Sequence, residues 1–331
     1  MNKILICFAA VALVTIVMAC KSGRVAGNDA EADSVSVPSF SADSAMGHVL
    51  RQCEFGARVL GTQAHDDCAQ YIFEAFKAQG CEVTRQDAEF TLYNGQKYKG
   101  CNIIASTNPE AKTRIMLCAH WDSRPWADAD PDERNHKKPV MAANDGASGV
   151  AVLIELARQL KLQKAEVGID FVCFDAEDVG VPEWDNTYTG TEEEEEATWC
   201  LGSQYWARNP HRVDFEFAIL LDMVGGKGAA FYREQFSMYY APTVVARVWE
   251  AARDAGYSSS FVNEDGGGIT DDHLPLNRIA QIPTIDIISY YPNQRPGFCP
   301  TWHTVNDTPE NIDPFSMKVV GQTLLQLIYT M

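Results

Sequence analysis

The chain has no pair of cysteines in C-x-x-C spacing, no H-E-x-x-H and no G-x-S-x-G. The first absence removes a cysteine zinc site and a thioredoxin-like redox centre. The other two remove the main support for a thermolysin-type protease and a serine hydrolase. Positive charge is scarce: Lys and Arg number 27 against 45 Asp and Glu, a formal net charge of −18. That balance argues against nucleic-acid partners and against a basic membrane-surface patch, since both need clustered cations. There is no internal repeat, and no linker after residue 41. Long apolar runs are missing too, apart from residues 4–18 behind Lys3. That stretch reads as a signal peptide and is too short to be trusted as a membrane span.

The junction at the end of that apolar stretch is more specific. Val17, Met18, Ala19, Cys20 resembles a bacterial lipobox, which makes Cys20 the lipidated first residue of the mature protein. The expected organisation is a signal peptide over residues 1–19, a lipid-anchored flexible tether over 20–41 and a single catalytic domain over 42–331. The protein is then exported, periplasmic and anchored to a membrane. The tether assignment rests on its Ser, Ala, Asp and Glu content. Outside the leader remain Cys53, Cys68, Cys81, Cys101, Cys118, Cys173, Cys200 and Cys299. Export permits disulfides, but Cys118 and Cys173 fall inside apolar strand patterns and behave equally well as small core residues. Their pairing stays open.

From residue 41 the hydrophobic period alternates. Helical spacing covers residues 49–60, 66–78, 149–160, 197–208, 243–255 and 315–329, and strand-like runs cover 83–92, 102–106, 114–119, 169–174, 217–221 and 282–288. Short buried strands alternating with amphipathic helices predict an α/β three-layer sandwich, its central sheet mixed but mostly parallel and covered by helices on both faces. The acidic run at residues 192–196 reads as an exposed, hydrated loop that adds nothing to the chemistry.

Five residues able to hold zinc occur in the order His120, Asp145, Asp178, Asp222, His303, nearly all where an apolar run breaks into a polar or glycine-rich turn. In an open α/β sheet such breaks gather at the carboxyl ends of the strands, where ligands and metals bind. His120 with Asp122 two residues later offers a ligand and a carboxylate for its second ring nitrogen. Asp145 sits in a glycine-rich turn ahead of a helix, whose N-terminus favours negative charge. Glu177 and Asp178 leave a buried strand side by side and diverge, so one can ligate a metal while the other handles protons. Together the five point to a metal hydrolase-like site.

At these residues the chain resembles the zinc-dependent aminopeptidase family and, more closely, its relatives the animal-type glutaminyl cyclases. The resemblance spans roughly residues 45–331. It includes residues 55–61, Asp271-Asp272-His273-Leu274-Pro275, and Trp302-His303-Thr304 leading to Glu310-Asn311-Ile312-Asp313. The cyclase resemblance implies one zinc per chain, held by Asp145, Asp178 and His303, and conversion of N-terminal Gln of peptides to pyroglutamate with release of ammonia. It implies Glu177 as proton shuttle, Asp222 and Asp271 as its partners, Trp184 and Trp302 as pocket walls, and His120 and Asp122 as supporting groups. A monomer is expected. The aminopeptidase alternative has His120 and Asp222 binding a second zinc while Glu177 activates water. Two positions depart from the animal pattern: Asp178 stands where those enzymes use Glu, and Asp286 where they use His.

Overall fold

The computed structural model describes residues 36–294 and 297–331. The signal segment 1–19, the anchor Cys20 and the tether as far as residue 35 lie outside the described residues. The strands are β1 (Glu82–Thr91), β2 (Lys97–Ser106), β3 (Arg114–His120), β4 (Gly168–Phe174), β5 (Ala218–Asp222), β6 (Phe231–Arg233), β7 (Phe261–Asp265) and β8 (Thr284–Ile288). The helices are α1 (Ala42–Glu54), α2 (Gln63–Ala78), α3 (Ala147–Leu162), α4 (Glu192–Glu196), α5 (Leu201–Arg208), α6 (Gln235–Tyr240), α7 (Pro242–Asp254), α8 (His273–Arg278) and α9 (Pro314–Thr330).

A six-stranded sheet runs in the order β1-β2-β4-β3-β5-β8. Its β1–β2 and β2–β4 pairings are antiparallel, whereas β4–β3, β3–β5 and β5–β8 are parallel. Every residue of β3, β4, β5 and β8 is buried, as parallel strands require when helices cover both faces. The pleat divides them between two cores. Ile115, Leu117, Ala119, Ile169, Phe171 and Cys173 join the larger core with α1, α2, α3, α7 and α9. Met116, Cys118, Val172 and Phe174 pack with Trp206 of α5 and Leu276 of α8 on the opposite face. The expected three-layer α/β sandwich is therefore the observed one.

Several boundaries differ from expectation. The first helix begins at Ala42, where the Ser41 side chain accepts the Ser44 N–H, and ends at Glu54 before Gly56 turns to φ 98°. Residues 55–60 keep the apolar spacing but pack as irregular chain. The end of the expected tether is not free either: Phe40 is 2% exposed, and its backbone N–H donates to Gln322 of α9. The acidic run forms a short helix, capped by reciprocal Thr191–Glu194 hydrogen bonds, and not a loop. The short parallel pair β6–β7 was not anticipated. All eight cysteines beyond the leader are buried and unpaired.

Candidate active site and metal centre

The parallel strands deliver the candidate residues to one edge. His120 closes β3, Asp222 closes β5, and β4 runs out after Phe174 into Asp175, Ala176, Glu177 and Asp178. Asp145 precedes α3, and His303 lies in the turn region before α9. Ala176, Cys200, Met223 and His303 all take positive φ, between 47° and 56°, which costs non-glycine residues about 1–3 kcal/mol each and persists only where surrounding packing enforces it. Two glycines make the approach possible. A Cβ on Gly146 would lie 2.4 Å from the His120 carbonyl oxygen, and one on Gly149 would lie 2.4 Å from that of Leu221.

Buried carboxylates hold these turns. Asp122 accepts from the backbone N–H groups of Glu177 and Asp178, at 3.1 Å each. Its contact with His120 Nδ1 is longer, 3.4 Å, so its main work is fixing the β4 exit. Asp175 turns away from the site, accepting from Cys101 N at 2.7 Å and meeting His65 Nε2 at 2.8 Å. Asp307 accepts from Asn144 N and Asp145 N and so sets the Asp145 turn. Burial pushes the Asp307 carboxyl up to about 7.

Asp145, Asp178 and His303 converge. His303 Nε2 lies 3.1 Å from Asp178 Oδ1 and 3.5 Å from Asp145 Oδ2. Donors about 2.0 Å from a tetrahedral zinc are separated by about 3.3 Å, so these edges suit that ion. Neither Asp178 oxygen accepts a hydrogen bond, although the residue is 1% exposed; His303 Nε2 is near but out of hydrogen-bonding alignment. A buried carboxylate left so calls for a cation. The mixed His and carboxylate donor set fits zinc. Arg124 stands 3.5 Å from Asp178 Oδ1 and is bound to Asp128, which lies 3.5 Å from His303 Nδ1. That carboxylate orients the ring from behind.

A second trio shares Asp145. His120 Nε2 is 2.9 Å from Asp145 Oδ1 and 3.3 Å from Asp222 Oδ1. The shorter contact is an ordinary hydrogen bond and needs no ion.

Beside the candidate metal-ligand set is a cluster of acids. Glu177, Cys200 and Asp271 offer side-chain atoms within 4.8 Å of one another, as do Asp271, His273 and Asp286. The Cys200 thiol donates to Glu177 Oε1 at 3.1 Å. Burial, and then the charge of nearby acids including Asp271, raises Glu177 well above the usual carboxylate range. Asp271 and Asp286 are raised likewise by burial, Asp271 next by Asp222 and Asp286 next by Asp271. Asp222 is pushed to about 6 by burial and by Asp145. Burial and mutual repulsion among these carboxyls both favour their neutral forms.

These groups face a cavity of about 540 Å³ lined by Asp145, Glu177, Asp178, Asp222, Asp271 and His303 together with Trp199, Trp302 and Phe298. Trp302 stacks on His303 with ring centroids 3.8 Å apart, and Trp199 lies parallel to that imidazole at 6.2 Å. Trp184, expected in the pocket, is not on its wall. Its ring meets Trp126 edge-on and Lys137 sits above it, while its neighbour Glu183 lines the cavity and Trp199 supplies the aromatic wall. Arg124, Asp128, Asp307, Trp199 and Cys200 escaped the sequence reading. The signal for Trp199 was a tryptophan placed just before a helix, three residues after the acidic run.

The model of peptidase family M28 matches residues 102–328. The chain belongs to peptidase family M28. Within it the chain is 49% identical to a solved glutaminyl cyclase of Bacteroides thetaiotaomicron, covering 89% of this chain and 100% of that one with a TM-score of 0.85. It is also 49% identical, over 90% of this chain and 99% of the other, to a structure described as a leucine aminopeptidase precursor of the same bacterium, again with a TM-score of 0.85. The glutaminyl-peptide cyclotransferase of the snake Boiga irregularis is 26% identical over 67% of this chain. The chain spans 63% of that relative's length.

Proposed function

We propose that this M28 protein is a glutaminyl-peptide cyclotransferase with one zinc per chain, held by Asp145, Asp178 and His303. The observation that carries this reading is the asymmetry between the two candidate metal sets. Asp178 has both oxygens buried without a hydrogen-bond partner, whereas in the second set one oxygen, Asp222 Oδ1, is left so and the His120–Asp145 contact is a satisfied hydrogen bond. Zinc bound at the first set supplies Lewis acidity toward the side-chain amide carbonyl of an N-terminal Gln.

The protein groups do the rest. The substrate amine attacks its own side-chain carbonyl carbon, the new ring C–N bond forms, and the old amide C–N bond breaks. Glu177 takes a proton from the attacking amine and returns it to the departing nitrogen, which leaves as ammonia. Its raised affinity for a proton, set by burial, matches both halves of that transfer. Asp271, with Asp222 and Asp286 behind it, keeps the shuttle oriented, and Cys200 fixes one of its oxygens. Trp199 and Trp302 wall the cavity and exclude water, so the tethered amine wins over hydrolysis.

A second reading rests on the His120, Asp145 and Asp222 trio, which also places three donor atoms within 4.8 Å. Were a second zinc to bind there, the protein would act as an aminopeptidase. The test is metal content together with one variant. Purified protein is expected to carry one zinc, and Glu177→Gln to keep it while losing about 10³-fold in ammonia release from Gln-initiated peptides. Two tightly held zinc ions with release of free amino acids would overturn the proposal. Export and lipidation at Cys20 belong to the same proposal, supported by the residues 17–20 pattern.

A further inference from the structure

The helix α4 consists of five glutamates, none of them buried, and it stands at the mouth of the cavity. Glu192, Glu195 and Glu196 line that mouth together with Glu183. Only two of the five α4 side chains have protein partners among the described residues. Glu194 closes the capping box with Thr191, and Glu196 pairs with Arg278. Glu192 and Glu196 are four residues apart on one helical face, where like charges repel. Neither is buried, and the capping box holds the turn in place.

This rim is not an isolated acidic patch. It is the outer wall of a cavity whose floor carries Asp271 Oδ2 and both Asp178 oxygens, buried and without hydrogen-bond partners. Among the described lining residues Arg124 is the one arginine or lysine, and it is buried and committed to Asp128 and Asp178. The mouth therefore presents a net negative charge, offset at Glu196 by Arg278 and left open at Glu183, Glu192 and Glu195. Low-dielectric walls focus such a field on whatever passes between them.

We propose that the α4 rim selects Gln-initiated peptides that carry Lys or Arg in the two residues after the glutamine. This rests on the cyclotransferase reading. With the glutamine seated on the floor, an extended chain rises about 3.3 Å per residue, which carries the next two or three side chains past the rim. Cationic side chains there meet Glu183, Glu192 and Glu195, while acidic ones are repelled.

The experiment compares kcat/KM of the mature chain for the peptides Gln-Lys-Ala, Gln-Ala-Ala and Gln-Glu-Ala, at low and high salt, and repeats it with the double variant Glu192→Gln/Glu195→Gln. We expect the lysine peptide to exceed the glutamate peptide about tenfold at low salt. The ratio should fall to about twofold in high salt, where exposed charges are screened. It should fall to about threefold in the variant, whose changes lie on an exposed turn. Equal cyclisation of all three peptides at low salt, or a preference for the acidic one, would overturn the rim proposal while leaving the cyclotransferase intact. Failure to cyclise even Gln-Ala-Ala would overturn both.

Discussion

Glu177 and Asp178 are chain neighbours whose side chains face different partners, and the backbone between them explains the division. Their N–H groups are both pinned by Asp122, so one side chain turns to His303 and the other to Cys200 and Asp271. This pairing was legible in the sequence, because two acids leaving an apolar strand have few other uses. Arg124, Asp128 and Asp307 were not, since their roles are contacts across folded turns that no spacing reveals. The pocket tryptophan shows the same limit. The cyclase resemblance favours Trp184, but the cavity wall is formed by Trp199, with Glu183 beside Trp184 also lining it. Trp199→Ala is therefore expected to raise KM for Gln peptides about tenfold or more, through loss of a large apolar wall. Trp184→Ala is expected to change it less than about twofold. Steady-state kinetics on both variants checks the assignment, and a larger effect at Trp184 would contradict it.

Elements were easier to read than residues. The four parallel strands β3, β4, β5 and β8 are visible as apolar runs, because strands buried on both faces leave near-continuous hydrophobic sequence, whereas the edge strand β1 is mostly exposed. The β6–β7 pair was invisible: β6 has three residues and finds its parallel partner far along the chain. The start of α1 was misplaced because Ser41 caps it earlier than the apolar spacing begins. Within β4, Asp170 is a charge in a core strand, fully buried and paired with Arg114 and His211. Burial alone would raise its pKa, but hydrogen bonds from His211 and Arg114 outweigh that and hold it below the usual value. Stability from this group is thus present above about pH 4, its unfolded pKa, and is lost as pH falls through the lower folded value. Asp170→Asn should cost about 3 kcal/mol near neutral pH by leaving Arg114 unpaired. Urea unfolding should show the gap to the parent protein narrowing as pH drops below about 4. A gap independent of pH would contradict this role for the Asp170 charge.

At the scale of the whole molecule, the sheet gathers strand ends, the two cores fix them, and the loops supply walls and rim. The fold and the convergence of metal-capable residues were both legible because one physical rule, ligands at the carboxyl edge of parallel strands, connects them. The reaction was less so. The same five metal-capable residues serve hydrolysis or cyclisation, and what separates the two is the number of cations held and the dryness of the cavity. The most direct test is the mass of the product formed from a Gln-initiated peptide by the purified, zinc-loaded protein. A cyclotransferase yields a peptide of unchanged length, lighter by one ammonia, with pyroglutamate at its N-terminus, and this is the expected product. A peptide shortened by one residue, with free glutamine in solution, would contradict it.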